Sequence, residues 1–328
     1  SNGDVALLGR LGAKRSSMGA GPDRRVDRDS RTPSVATTVY TLLESVVARA
    51  PVGLAAAGLS AALVSVAAYS HWIEPYWLDV SHPTVELSGL PAVLDGLRIA
   101  HLSDFHLGPN LDPRCPVVQA ISVCNQERPD VVVLTGDYLS HRRAIPTLVD
   151  LLSRLTVRPV FAVLGNHDYR FGPNHRRALS RAFADVGVTL LDNRTAVFER
   201  NGARLWFVGI GDAYTSHDRL TDAEQGLSEN DRPRTLLTHY PDFLLDLPAH
   251  QFDLAFAGHS HGAQVNLPLL TQRALAHSDT MFASGLYWVG GTPLYVNRGL
   301  GTSTHRIRLL ARPELTFMTL RSQAVASS

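Results

Sequence analysis

Short apolar runs that end abruptly in polar side chains constrain this sequence more than any other feature. Runs of this length and composition are typical of buried β-strands. Because ligands bind outside the carboxyl ends of the strands in α/β sheets, we expect the polar groups to meet at one edge. The runs and the residues that follow them are Leu97–Leu102 with Ser103-Asp104-Phe105-His106, Val131–Thr135 with Gly136-Asp137, Val160–Leu164 with Gly165-Asn166-His167-Asp168, Thr235–Thr238 with His239, and Leu254–Ala257 with Gly258-His259-Ser260-His261-Gly262.

Amphipathic segments alternate with these runs and predict an α/β sandwich with mixed sheets. Asp112 can cap the first predicted helix, and Pro113 suits its first position. Helices are expected over Pro113–Asn125, Pro146–Leu155 and His175–Val186. Further strands are expected at Thr189–Leu191, Ala196–Arg200, Leu205–Ile210, Leu294–Asn297, His305–Leu310 and Leu315–Leu320.

The chain before the motifs divides into two zones. Residues 1–36 are rich in Gly, Ser, Arg and Asp without apolar periodicity, and predict a disordered N-terminal tail. Residues 37–84 predict a membrane-anchor helix and a linker, because Pro51–Tyr69 is apolar and long enough to cross a bilayer. The aromatic residues from Tyr69 to Trp77 are typical of an interfacial belt. Residues 85–328 form the expected domain with the polar motifs.

A single N-terminal span would place the chain at the cell membrane. Two other interpretations of the apolar stretch stay open, the core of a signal peptide and a helix that packs on the soluble domain. Arg31 and Arg49 precede the stretch, whereas the first Lys or Arg after it is Arg98. The positive-inside bias therefore favours a cytoplasmic N-terminus and an extracytoplasmic domain.

The charge balance excludes a general attraction to polyanions. Lys and Arg number 31 against 30 Asp and Glu, for a formal net charge of +1, so no nucleic-acid partner is expected. Cys115 and Cys124 are nine residues apart on a predicted helix and face opposite ways, which predicts buried thiols rather than a disulfide.

The polar clusters offer the donor set of a divalent metal. Asp104 and His106 are two residues apart, as are His259 and His261, and in extended backbone such pairs point the same way. Glycine before the polar residues allows a sharp turn. Carboxylate, imidazole and amide donors without thiolate favour Mn, Fe, Zn or Mg.

These residues, in this order, resemble the calcineurin-like metallophosphoesterase superfamily. Its hallmarks are D-x-H, G-D, G-N-H-[DE], a lone His and G-H-x-H. They stand here as Asp104-Phe105-His106, Gly136-Asp137, Gly165-Asn166-His167-Asp168, His239 and Gly258-His259-Ser260-His261. The resemblance covers roughly Leu97 to Leu320 and implies a four-layer αββα sandwich with two mixed sheets.

The resemblance also implies a role for each motif residue in a site with two divalent metal ions. A hydroxide shared by the ions would attack the phosphorus, His167 would protonate the leaving oxygen, and Asp168 would orient His167. Asp137 would bridge the ions. One ion would be held by Asp104, His106 and His261, and the other by Asn166, His239 and His259.

The C-terminal part of the match resembles a bacterial, often membrane-associated branch, through Tyr295–Gly301 and Arg312-Pro313-Glu314. Some members of this branch hydrolyse the pyrophosphate of UDP-2,3-diacylglucosamine in lipid A biosynthesis, and others are phosphodiesterases. Gly262-Ala263-Gln264 replaces the usual Gly-Gly-Gln. We therefore expect a phosphodiesterase or pyrophosphohydrolase with a small-molecule or lipid-linked substrate. The alternatives are a nucleotide or protein phosphatase and a non-catalytic metal-binding scaffold.

Two segments bear on the substrate without deciding it. Gln272–Gly291 is rich in apolar side chains and is interpreted either as a flap for an acyl chain or as ordinary sheet packing. Arg142 and Arg143 follow Asp137 closely and either hold a second phosphate or form a solvated surface pair.

Overall fold

The structure is a computed structural model that describes residues 52–267, 270–271, 280–303 and 305–323. Its first element is a helix of 17 residues, α1 (Val52–Ala68). A π-helical turn, Tyr69–Ile73, and a 3₁₀ turn, Glu74–Tyr76, continue it. The predicted tail over residues 1–36 lies outside the described residues.

The first of two β-sheets has seven strands. They are β1 (Asp79–Ser81), β2 (Thr84–Leu87), β3 (Arg98–Leu102), β4 (Val131–Thr135), β5 (Val160–Val163), β6 (Thr189–Leu190) and β13 (Glu314–Ser322). Their order is β1-β13-β3-β4-β5-β6, and β2 pairs with the later residues of β13. The strands from β3 to β6 run parallel, whereas β13 is antiparallel to β3.

The second sheet has six strands. They are β7 (Arg194–Arg200), β8 (Ala203–Gly209), β9 (Arg234–Leu237), β10 (Leu254–Ala257), β11 (Gly285–Val289) and β12 (Thr292–Val296). Their order is β11-β12-β10-β9-β8-β7. The four central strands run parallel, and the two edge strands are antiparallel to their neighbours.

Helices cover the outer faces of the two sheets. The helices are α2 (Pro116–Glu127), α3 (Ile145–Ser153), α4 (Asn166–Tyr169), α5 (Pro173–Asp185) and α6 (Leu220–Ala223). Side chains of α2, α3 and α5 share a core with the first sheet, and α6 and a 3₁₀ helix, Pro241–Asp246, share one with the second. A third core lies between the sheets and includes Val133, Phe161, Phe207 and Phe256. The predicted α/β fold with two mixed sheets and an apolar N-terminal helix is confirmed.

Burial on both faces explains why the central strands are apolar throughout. All five residues of β4 are buried, as are all four of β5 and of β10. A strand covered on both faces has no solvent side, so it keeps apolar residues at every position instead of alternating. The first polar residue after each strand therefore marks the edge of the sheet.

The predicted cap of the first amphipathic helix was wrong. The helix begins at Pro116, with Cys115 before it, and no side chain caps it. The Asp112 carboxylate instead accepts a hydrogen bond from the Arg114 amide at 2.9 Å. This local bond closes a turn ahead of the helix, which is a common alternative use of Asp.

The strand predicted at His305–Leu310 was also wrong. Among the described residues of this segment, only a single bridge between Val265 and Leu309 has β pairing. The side chain of Arg308 is fully buried and its guanidinium donates to the backbone carbonyls of Ala311, Arg298, Gly299 and Gly301. These bonds hold the segment in an irregular path. The sequence also did not reveal β1, β2 and β11.

The base of α1 is attached to the folded domain. The Arg308 amide donates to the Ser70 carbonyl at 2.9 Å, and the Ala311 amide donates to the Glu74 carboxylate at 2.6 Å. The guanidinium of Arg312 lies 4.9 Å from the centre of the Trp77 ring. Because β1 also pairs with β13, the domain extends beyond its predicted start at residue 85. We propose that it begins at Tyr69.

Candidate metal centre

All nine predicted site residues lie at the carboxyl ends of strands from both sheets. In the first sheet, Asp104 and His106 follow β3, Asp137 follows β4, and α4 carries Asn166, His167 and Asp168 directly after β5. In the second sheet, His239 follows β9, and His259 and His261 follow β10. The two sheets thus present their polar loops to each other, as expected for an α/β ligand site.

Three of these side chains form one buried group, Asp104, His106 and His261. The Nε2 atoms of His106 and His261 are 2.9 Å apart. The Asp104 carboxylate lies 3.2 Å from Nε2 of His261 and 3.9 Å from Nε2 of His106. Donor atoms from two loops therefore converge on one point.

A second group surrounds His239. Its Nε2 lies 3.1 Å from the Asn166 amide oxygen and 3.3 Å from Nδ1 of His259. Asp137 lies between the two groups, because its Oδ2 atom is 3.5 Å from Nε2 of His106 and 3.4 Å from Nε2 of His239. The structure therefore brings together all seven residues that were predicted as ligands.

Left-handed backbone, rather than extended backbone, aims the paired ligands. Five of the predicted site residues have φ between 47° and 74°, namely Asp104, His106, Asp137, His259 and His261. The prediction that the D-x-H and H-x-H pairs are extended was therefore wrong. Residues other than Gly seldom adopt this region, and such strain is concentrated at functional sites.

Two glycines are required by close approach of the loops. A Cβ atom on Gly165 would lie 2.2 Å from the Asp137 carboxylate, and one on Gly258 would lie 2.1 Å from the Ser103 hydroxyl. Neither glycine has a positive φ. The expectation that they serve the turn conformation is corrected: they leave room for the ligand-bearing loops to meet.

A buried chain of hydroxyl groups holds Asp104. The Ser103 hydroxyl donates to Oδ2 of Asp104 at 2.5 Å and accepts from the Thr135 hydroxyl at 2.6 Å. The Thr135 hydroxyl is in turn 2.8 Å from Nε2 of the buried His101. The roles of these residues were not predicted from the sequence. Their signal was available, since His101 and Thr135 are polar residues within strands that are otherwise apolar.

Asp168 supports the Asp137 loop rather than the His167 ring. Its carboxylate accepts hydrogen bonds from the backbone amides of Asp137, Tyr138 and Gly165, at 2.9, 3.1 and 3.0 Å. Nδ1 of His167, the atom that an orienting carboxylate would contact, has no partner among the described residues. The predicted role of Asp168 is therefore revised to one of positioning Asp137.

His167 stands beside the two groups. Its amide donates to the Asp137 carboxylate at 2.8 Å, and its Nε2 is 4.0 Å from Oδ2 of the same residue. The side chain is 22% exposed, whereas that of His106 is fully buried. An imidazole that borders the site and reaches solvent can exchange protons with a bound substrate.

Burial and mutual charge perturb the pKa values of the centre. Burial lowers the pKa of His106 to about 3 and raises that of Asp104 to about 6. Burial also opposes the charged form of His239, but the Asp137 charge outweighs it and raises the pKa of His239 well above its ordinary value. The three neighbouring histidines hold the pKa of Asp137 below its ordinary value, against the effect of burial.

The donor set fits divalent cations. Asp104 and Asp137 are buried carboxylates, and among the described residues their ion-pair partners are histidines, with no Lys or Arg. Buried negative charge of this kind needs compensation. The close Nε2 atoms of His106 and His261 also present two lone pairs to one point, which a shared cation would satisfy.

Two further charged residues near the centre were not predicted. Asp212 is fully buried, and its Oδ1 atom has no hydrogen-bond partner among the described residues. It follows Ile210 and Gly211 after β8, so a Gly-Asp pair stands near a strand end here as well. The charge of exposed Arg170 acts on His106 and His167, and its guanidinium donates to the Ser140 carbonyl at 2.8 Å.

The structure describes both arginines and part of the apolar segment that were predicted to bear on the substrate. Arg142 and Arg143 are exposed on a 3₁₀ turn. In the predicted flap, residues 272–279 lie outside the described residues. The described part contains β11, an edge strand, and Phe282 and Tyr287 pack in the core of the second sheet. Met281 and Trp288 are 61% and 43% exposed, so the described part combines sheet packing with exposed apolar side chains, and the flap stays a prediction.

A cavity of about 110 Å³ lies between the base of α1 and the loop that carries His106. Pro75 and Tyr76 line it on the side of the helix, and His106 lines it on the side of the metal centre. Its wall includes apolar Leu111 and charged Arg306. The imidazole of His106 is fully buried, so the cavity borders the ligand loop and not the donor atoms.

Comparison with known proteins agrees with this geometry. Residues 97–263, about half of the chain, match the model of the calcineurin-like phosphoesterases. The chain is 29% identical to phosphodiesterase YaeI of Escherichia coli (strain K12), over 77% of this chain and 92% of that protein. It is 27% identical to UDP-2,3-diacylglucosamine pyrophosphatase LpxG of Chlamydia trachomatis serovar D, over 76% of this chain and 91% of that protein. A transmembrane protein with metallophosphoesterase domain from Danio rerio is 31% identical to this chain, over 75% of this chain and 57% of that protein.

The fold and these matches define a hydrolase that acts on phosphoester bonds. The chain belongs to the calcineurin-like phosphoesterase family. Its relatives include proteins named for phosphodiesterase and pyrophosphatase activities, in accord with the branch that the sequence resembles.

Proposed function

We propose that this chain hydrolyses phosphodiester or diphosphate bonds with two divalent metal ions. One observation carries the proposal. Seven oxygen and nitrogen donors from five separate strand ends meet in two adjoining groups, with Asp137 within 3.5 Å of a histidine nitrogen in each. A two-metal centre needs such a shared carboxylate between two sets of ligands.

The two groups divide the ligands between two ions. Asp137 would contribute to both ions. Asp104, His106 and His261 would hold the first ion, and Asn166, His239 and His259 the second. When bound, the ions would supply a hydroxide nucleophile near neutral pH and would neutralise charge on the phosphoryl oxygens. Mn, Fe, Zn and Mg all suit this donor set.

The protein's own groups position the substrate and move the proton. His167 borders the centre and would donate a proton to the departing alkoxide. Asp168 holds the Asp137 loop through three backbone amides, so the shared carboxylate is fixed before substrate arrives. The cation of Arg170 is placed to attract a phosphate.

The proposed location is a membrane, with α1 as a single span. The helical segment from Leu54 to Tyr76, which consists of most of α1 and the two turns after it, is long enough to cross a bilayer. Only 6% of an apolar 18-residue window within it is buried in the domain. The hydroxyls of Ser60 and Ser65 donate to carbonyls one turn earlier, so they need no water. The flanking arginines favour a cytoplasmic N-terminus and an extracytoplasmic domain. Protease protection in sealed vesicles would test that orientation.

The proposed substrate is a lipid-linked or cell-envelope phosphoester such as UDP-2,3-diacylglucosamine. A membrane anchor and the similarity to LpxG support this class. The test uses the full chain loaded with Mn. Its rates of hydrolysis would be compared for this lipid, aryl phosphodiesters, nucleotides and a phosphopeptide. Activity confined to nucleotides or the phosphopeptide would instead favour the phosphatase alternatives.

Replacement of the shared carboxylate tests the metal centre. Asp137→Asn should lower metal content and reduce hydrolysis of bis-p-nitrophenyl phosphate on the order of 10³-fold, because one ligand is lost to both ions. Asp185→Asn, at the exposed end of α5, is the control and should retain full activity. Wild-type turnover by Asp137→Asn would refute the proposed centre. Bound metal without turnover of any substrate by the wild type would indicate the scaffold alternative.

A further inference from the structure

Exposed apolar side chains surround the base of α1 on the folded domain. They belong to three parts of the chain: the turns that follow α1, the segment around residue 265, and residues 307–310. We call them the collar, and each is between 38% and 63% exposed. The collar consists of Trp72, Ile73, Trp77, Val265, Ile307 and Leu310.

Hydrogen bonds show that these segments are neighbours. The Arg308 amide donates to the Ser70 carbonyl, and the Leu309 amide donates to the Gln264 carbonyl at 2.8 Å. The Asn266 amide donates back to the Leu309 carbonyl at 2.8 Å. Residues 307–310 therefore lie between the base of the helix and the segment with Val265. The collar is a local feature of one end of the domain.

The chemistry of the collar matches a bilayer surface. Trp72 and Trp77 are of the residue type that prefers the boundary between acyl chains and headgroups. The exposed Arg306 stands next to the collar with its guanidinium 5.5 Å from the Tyr76 ring centre, and Arg312 lies over Trp77. Both arginines are paired with carboxylates, Arg306 with Asp112 at 3.6 Å and Arg312 with Asp79. The tryptophans and the exposed apolar side chains, rather than a net positive charge, therefore suit a membrane interface.

We propose that the collar rests in the surface of the bilayer that α1 crosses, so that the partner of this face is a lipid membrane. Continuity with α1 supports a bilayer rather than a protein, because the collar begins four residues after the helix ends. This inference rests on the membrane location included in the proposed function.

Docking of the collar also places the metal centre at the membrane. Val265 follows the ligand His261 by four residues, and the short helix His261–Ala263 fills most of the interval. The cavity beside His106 is lined on its other side by Pro75 and Tyr76, which adjoin the collar. The proposed docking would thus bring the loops of His106 and His261 close to the headgroup layer.

Spin labels on two matched valines test the docking. Val265 in the collar and Val197 on β7 are both 40% exposed. The full chain, as Val265→Cys or Val197→Cys, is labelled with a nitroxide and reconstituted into phosphatidylethanolamine–phosphatidylglycerol vesicles. Collision of each label with oxygen, which concentrates in the bilayer, is compared with collision with a water-soluble nickel chelate.

We expect the Val265→Cys label to prefer oxygen and the Val197→Cys label to prefer the nickel chelate. The labelled wild type gives the background from Cys115 and Cys124, whose thiol pKa values burial raises, that of Cys124 to about 12. If Val265→Cys does not fold, Ile307→Cys replaces it.

Equal preferences of the two labels would overturn the proposal. Dipolar broadening at Val265→Cys that disappears when unlabelled chain is added would also overturn it, and would assign the collar to a second copy of the chain. The label readout is independent of catalysis. If the chain did not hydrolyse aryl phosphodiesters, the proposed reaction would be refuted, but the result of the docking experiment would still stand.

Discussion

At the scale of single residues, the metal centre combines donor chemistry with backbone that L-residues seldom adopt. The left-handed conformation continues beyond the ligands, because Ala263 has φ of 63° and Gln264 has φ of 51°. Ala263 occupies the position where the branch resembled by this sequence usually has Gly. The methyl group of Ala263 is therefore an added strain, and removing it has a predictable effect.

Ala263→Gly should stabilise the protein. A left-handed Ala costs about 1 to 2 kcal/mol relative to its usual conformation, so relief of this strain should raise the free energy of unfolding by about 1 kcal/mol. Urea denaturation would measure the change. Ala184→Gly, at an exposed position inside α5, should show the opposite sign, with a loss of about 0.5 to 1 kcal/mol. A decrease in stability for Ala263→Gly would contradict the strain argument.

His167→Ala should separate proton donation from metal binding. Metal content should stay unchanged, because the His167 ring belongs to neither proposed ligand set. Hydrolysis of an alkyl phosphodiester should fall on the order of 10²-fold or more, whereas that of an aryl ester with a good leaving group should fall far less. Rates across a leaving-group series would measure this. A uniform decrease across the series would exclude His167 as the proton donor.

The donor residues could be predicted from the sequence because polar groups stand out after apolar strands. Their orientation could not be predicted, since it depends on left-handed φ values that the loops acquire only when both sheets are in place. Asp168 shows the same limit. Its position next to His167 in sequence suggested contact with that ring, but in three dimensions its carboxylate faces the backbone of the Asp137 loop.

At the scale of elements, a buried carboxylate joins the two sheets. Glu314 is the first residue of β13, and its carboxylate accepts hydrogen bonds from Ser81 at 2.8 Å and from Tyr295 at 2.6 Å. Arg298 forms an ion pair with it at 3.0 Å. Ser81 belongs to β1 of the first sheet and Tyr295 to β12 of the second. This network therefore ties the sheets together close to the metal loops.

Glu314→Gln should destabilise the fold in a pH-dependent manner. Burial opposes the Glu314 charge, but Arg298 outweighs it and lowers the pKa of Glu314 from 4.5 to about 2. Its stabilising effect is thus complete above pH 4.5 and is lost as pH falls through 2. We expect the substitution to cost about 3 kcal/mol at pH 7, from that shift in pKa.

Denaturant unfolding at several pH values would measure the effect of Glu314→Gln. The difference from wild type should shrink between pH 4.5 and pH 2. Glu86→Gln, at an exposed position of β2, is the control and should show no such trend. A difference that is constant over this pH range would mean that the Glu314 charge does not stabilise the fold.

Elements with a uniform pattern were predicted well, and elements defined by distant partners were not. The bounds of β4 and β10 agree with the apolar runs because full burial imposes that pattern directly. By contrast, β1 has only three residues and depends on pairing with β13, more than 200 positions later. The segment at His305–Leu310 has strand-like composition, but the Arg308 guanidinium sets its path.

At the scale of the whole molecule, the domain begins well before its first motif. The pairing of β1 and the bond from Ala311 to Glu74 lie upstream of residue 85. We expect a chain of residues 85–328 to melt roughly 10 °C below a chain of residues 69–328, because it loses these contacts and part of β2. Calorimetry in the same detergent would compare them. Both retain every proposed ligand, so equal melting temperatures would disprove the proposed start at Tyr69.

The attachment of Arg308 has a mechanical consequence. Its amide donates to the Ser70 carbonyl at the base of α1, and its guanidinium donates to carbonyls of the Arg298–Gly301 loop. The Gly301 amide of that loop in turn donates to the Asp104 carbonyl. The base of α1 and the metal loops are therefore joined directly through one buried residue. In the proposed membrane location, this connection would hold the metal centre at a fixed distance from the lipid, so that only bonds at that distance could be hydrolysed.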